Sequence, residues 1–90
     1  MNKGEYEQLE SKRKVLFRNV IMQAFDDLVN GNSKQRAEVD EWIGSDDFST
    51  VCELAAANEI EVTYNMRHCP ERVLTLFKAL QARKYSTVLE

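Results

Sequence analysis

The residues with the sharpest chemical potential are His68, the one histidine, and the cysteines Cys52 and Cys69. A nucleophilic pair needs thiol and imidazole within hydrogen-bond reach. His68 and Cys69 are neighbours, and neighbours on a helix diverge by about 100°. Cys52 and Cys69 both fall on apolar stripes, so two core thiols in a reduced, cytoplasmic protein are expected. His68 then reads as a cation at a helix C-terminus. Zinc is not expected, because these three residues leave a four-ligand structural site incomplete. The acidic pairs Asp26-Asp27, Asp40-Glu41 and Asp46-Asp47 are adjacent in sequence, point apart on helices, and read as caps or solvated faces. There is no glycine-rich phosphate loop. The expectation is a non-enzymatic chain with no cofactor and no metal.

Composition sets the frame. Ninety residues suit one domain, with 5–85 as its ordered core and 1–4 and 86–90 as loose ends. A hydrophobic share of 43% and a charged share of 30% are those of an ordinary globular chain. The net charge of -3 does not advertise phosphate binding, though local distribution matters more than the total. No apolar run approaches the ~20 residues that span a bilayer, so no membrane is expected. Residues 1–10 are polar and carry no signal-peptide pattern.

The elements that must position these residues centre on 42–67. Ser45 is an N-cap, Asp46 and Asp47 suit the first turn, and Phe48, Val51, Cys52 and Ala55 form one buried stripe. Residues 59–67 alternate apolar and polar, which is a strand signal. A lone strand would leave its backbone groups unpaired, however, and no second strand is in view. Asn58 with Glu61 makes a capping box, and Val62, Met66 and Cys69 then share one helical face. Helix is the favoured reading of this segment.

The two helices fit a helix-turn-helix register. Cys52 is the small residue where the second helix crosses, Ala56 stands at the turn, and Val62 is the branched residue buried in the second helix. Ala56 replaces the usual glycine, which makes a left-handed turn costlier. Asn65 stands where a second buried aliphatic is expected, with Met66 beside it. As a recognition helix, 58–68 would offer Asn58, Thr63, Tyr64 and Arg67 to duplex DNA. Glu59 and Glu61 would meet the phosphates with the wrong charge.

Residues 42–55, reading Trp42-Ile43-x-Ser45-x-x-Phe48-x-x-Val51-Cys52-x-x-Ala55, resemble a pattern in short phage- and prophage-encoded helical proteins. The resemblance implies a small helical fold and a phage or prophage setting, and carries no known activity. It departs where those proteins continue Gly-Leu-Asp-Pro and this chain has Ala56-Ala57-Asn58-Glu59. Two functions follow: a DNA-binding helix-turn-helix protein, slightly ahead, or an interaction module acting on a host or phage protein.

The remaining chain supplies helices around the corner. A first helix over 5–30 stops at Asn30-Gly31 and carries a broad apolar face of Leu16, Phe17, Val20, Ile21, Ala24, Phe25 and Leu28. Ile21, Met22, Phe25 and Val29 extend past what one neighbour covers, which predicts a homodimer through this helix. Coverage by Leu76, Phe77 and Leu80 is the monomeric alternative. Lys12, Arg13, Lys14 and Arg18 point in several directions and read as a solvated basic surface. Asn32 and Gln35 open a second helix whose inward face is Val39, Trp42 and Ile43, closed by Gly44. Pro70 opens the last helix, with Val73, Leu76, Phe77 and Leu80 inward to about Lys84. The expected fold is all-α, a compact bundle of about five helices with a helix-turn-helix-like unit.

Overall fold

A computed structural model describes the backbone of residues 3–89, and the side chains of 3–5 and 7–83. Its elements are α1 (Lys3–Asn30), α2 (Ser33–Trp42), α3 (Asp46–Leu54), α4 (Glu59–His68) and α5 (Pro70–Leu89). No strand occurs among the described residues, so the alternation over 59–67 is helical. α5 runs past the stop expected near Lys84. Of the ends expected to be loose, Met1, Asn2 and Glu90 lie outside the described residues.

Local chemistry explains each boundary. α1 stops where the Gly31 amide donates to Asp27 O at 3.0 Å. A Cβ at Gly31 would lie 2.3 Å from that carbonyl oxygen, so only glycine fits this approach. Asn32 caps α2 with a complete capping box: Gln35 N donates to Asn32 Oδ1, and Asn32 N donates to Gln35 Oε1, both at 2.9 Å. Gly44, at φ 86, turns the chain into α3. Ser45 then does two jobs, since its Oγ donates to Trp42 O at 2.6 Å and accepts from Phe48 N at 3.2 Å. Asn58 caps α4 by accepting from Glu61 N at 3.0 Å.

The helices enclose a core centred on α3. Phe48 and Ala55 are fully buried and Cys52 nearly so, joined by Ile21, Ala24, Phe25, Val39, Ile43 and Met66. Val51, Trp42, Val62 and Val73 are partly buried against it. Trp42 meets Phe48 edge to face, with ring centroids 5.0 Å apart. α1 is the spine, touching α2, α3 and α5, while α4 bridges α3 and α5.

Two expectations about apolar faces are corrected. On α5 the inward residues are Leu74, Val73 and Phe77, while Leu76 and Leu80 are more than half exposed. Pro70 begins the helix directly after Cys69, which leaves the helical region at φ -148 and ψ 53, and this start sets the phase that turns Leu74 inward. Leu76 and Leu80 therefore do not cover α1. On α1, Ile21 and Phe25 are core residues, not the surplus, and Met22 and Leu28 pack against that core. The surplus lies earlier in the helix, at Leu9, Val15, Leu16 and Val20. Every described side chain from Lys3 to Leu16 is exposed, because the shorter helices gather around the C-terminal half of α1.

Candidate interaction surface on the α3–α4 corner

The turn between α3 and α4 is built from Ala55 to Asn58. Ala56 takes the left-handed conformation, φ 54, at the position where the register asks for glycine. A non-glycine residue there carries about 1–2 kcal/mol of strain. The turn is held by Ala56 N donating to Glu53 O and Ala57 N donating to Cys52 O. It is also held from outside: Arg18 of α1 donates from Nε to Ala55 O at 3.0 Å. A cation on the last carbonyls of a helix satisfies an open acceptor and opposes the negative end of the dipole. Arg18 is therefore a clamp on the end of α3, a role its place in the basic run of α1 did not reveal.

Behind the turn, Cys52 is sealed under α4, and burial, with Glu59 adding to it, pushes its thiol pKa up. A raised thiol pKa leaves little thiolate, so Cys52 is a packing residue and a poor nucleophile. Cys69 is half-buried, and its Sγ donates to Asn65 Oδ1 at 3.4 Å. Both cysteines are free. Among the described residues no group of three or more His, Cys, Asp or Glu converges as a metal site would require. No helix among them is long and apolar enough to cross a membrane.

The outer face of α4 brings some of the DNA candidates together and occupies others. Asn58 is exposed, but its carbonyl oxygen is committed to the cap. Thr63 is half-buried. Arg67 Nη1 lies 2.7 Å from Asp40 Oδ1 of α2, so its charge is met within the protein. Tyr64 is 60% exposed and its ring lies against His68, with centroids 4.5 Å apart. One turn earlier Ile60 is 82% exposed, the most open large apolar side chain described. Glu59 and Glu61 flank it, and Glu59 Oε2 accepts from Ser49 Oγ of α3 at 3.0 Å. Glu53, one turn after Ser49 on α3, is exposed. The surface that α4 offers is thus an apolar and aromatic ridge bordered by carboxylates.

Ile60 is not among the residues expected to meet duplex DNA. The signal was present: once Val62 and Met66 point inward, Ile60 and Tyr64 must point outward as an i, i+4 pair. No protein-family model, curated protein or solved structure matches the chain.

Proposed function

We propose that this chain is a non-enzymatic protein-interaction module that docks the outer face of α4 against a protein partner. The observation that carries the reading is the exposed pair Ile60 and Tyr64, one turn apart on a capped helix backed by the core. Two such side chains are the anchors by which a helix seats in an apolar groove. Glu53, Glu59 and Glu61 around them favour a partner with a basic rim. A phage or prophage accessory role fits the resemblance of residues 42–55. Ile60→Asp and Tyr64→Ala test the reading, since both sites are exposed and neither change should move the urea midpoint. A stoichiometric protein that co-purifies with wild type should be lost from both variants. Its retention by both, or its absence from wild type, counts against docking through α4.

The second reading is a DNA-binding helix-turn-helix protein that places Asn58, Thr63, Tyr64 and Arg67 on duplex DNA. The left-handed Ala56 above buried Cys52 favours it, because that register is the one such units use. The carboxylates at the start of α4 and the Arg67–Asp40 pair weigh against it. Phosphate contacts need unpaired cations, and carboxylates beside the backbone repel it.

A further inference from the structure

The exposed half of α1 carries a stripe that α4 does not explain. Leu9, Leu16 and Val20 fall within about 40° of one another around the helix. They are 47%, 60% and 40% exposed. The stripe leads into a groove of about 420 Å³ between α1 and α2. Val20, Ala24, Val39 and Trp42 line its apolar part, and Asp27 and Glu38 line it with no cation. Asp27 accepts from the neutral Gln23 amide at 3.1 Å, and neither carboxylate has an ion pair among the described residues. The charge that would meet them lies on the other half of the same stripe. Arg13 falls on the stripe between Leu9 and Leu16, with Lys12 at its edge, and both are exposed.

We propose that two copies of this chain pair antiparallel through α1, each laying its Leu9–Leu16 stripe and Arg13 along the α1–α2 groove of the other. Setting Leu16 against the partner's Val20 makes the contact reciprocal, as a two-fold interface requires. The same register carries Arg13 past the partner's Gln23 toward the partner's Asp27 and the partner's Glu38. Leu16 then meets the apolar part of the groove that the partner's Val20 and the partner's Trp42 line, and Leu9 falls level with the partner's Asp27. A parallel pairing would set Arg13 against Arg13 and leave both carboxylates unmet. Charge complementarity therefore selects a second copy, in one orientation, as the occupant. This surface is separate from the outer face of α4, so either proposal can fail alone.

Sedimentation of the full chain over a micromolar concentration range tests it. Wild type should show a reversible dimer, and Leu16→Asp, at an exposed site, should leave a folded monomer by circular dichroism. Arg13→Glu and Asp27→Lys should each weaken the dimer roughly two- to thirtyfold, since the two-fold axis repeats an exposed ion pair twice. The double variant Arg13→Glu/Asp27→Lys should recover most of the loss. These residues stand fourteen positions apart in one helix, about 21 Å, so rescue must come from the other copy. A monomeric wild type, or a double variant no better than the single ones, overturns the proposal.

Discussion

The α3–α4 corner and the N-terminal half of α1 are written in the same amphipathic code and end in opposite environments. At the corner, Phe48, Cys52 and Ala55 are buried almost completely. Along α1, Leu9 and Leu16 sit at equally good helical spacing and stay largely exposed. The difference is reach. α3 is a short helix between two tight turns, and α1, α2 and α4 surround its apolar side. α1 is far longer than its neighbours can cover, so its first half has solvent where α3 has side chains. A periodic apolar stripe thus specifies a helix and a face, while burial depends on what else the chain can bring to that face.

The comparison is broken most readily by cavity formation. Phe48→Ala should destabilise by about 3–5 kcal/mol, because the ring is enclosed and the site has little room to collapse. Leu16→Ala should change stability by less than about 0.5 kcal/mol in urea titrations run on the monomer, at protein concentrations below the dimer range. Comparable losses at both positions in the monomer would mean that the first half of α1 is covered by its own chain. Trp42→Ala sits between these limits. Its ring is half-buried against Phe48, so about 2–3 kcal/mol is expected, below the range for a fully buried aromatic.

A smaller change, of opposite sign, sharpens the account of the corner. Ala56→Gly relieves about 1–2 kcal/mol of left-handed strain. It also adds roughly 0.5–1 kcal/mol of unfolded-chain entropy. A net stabilisation of about 0.5–1 kcal/mol should appear as a higher urea midpoint with an unchanged slope. Destabilisation would show that the Ala56 methyl makes contacts worth more than the strain.

Much of this architecture was readable in advance where signals are local. Asn32 with Gln35, Gly44 with Ser45, and Asn58 with Glu61 each announce a helix start through chemistry completed within four residues, and all three starts fall there. The strand-like alternation of 59–67 was resolved by the same logic, since backbone pairing had nowhere else to go. The α5 face was misread in part because periodicity admits both Val73–Leu76–Phe77–Leu80 and Val73–Leu74–Phe77. Only the position of α1 and the start at Pro70 decide between them. The surplus on α1 was expected too far along the helix for a similar reason. Ile21 and Phe25 look like the centre of a broad face, and it is the placement of α3 that fills them. Arg18 on Ala55 O and Arg67 on Asp40 join residues 37 and 27 positions apart, and no local spacing predicts such pairs.

The central claim is that the open surface of the corner recognises protein through Ile60 and Tyr64, and not nucleic acid through Arg67. Fluorescence anisotropy of a labelled random-sequence duplex, titrated with this chain at about 50 mM salt, tests it where counterion release most favours binding. The account predicts no saturable rise in anisotropy at micromolar protein, for wild type and Arg67→Ala alike. Saturable binding that falls steeply with added salt and is weakened by Arg67→Ala would contradict it, and would make α4 a recognition helix.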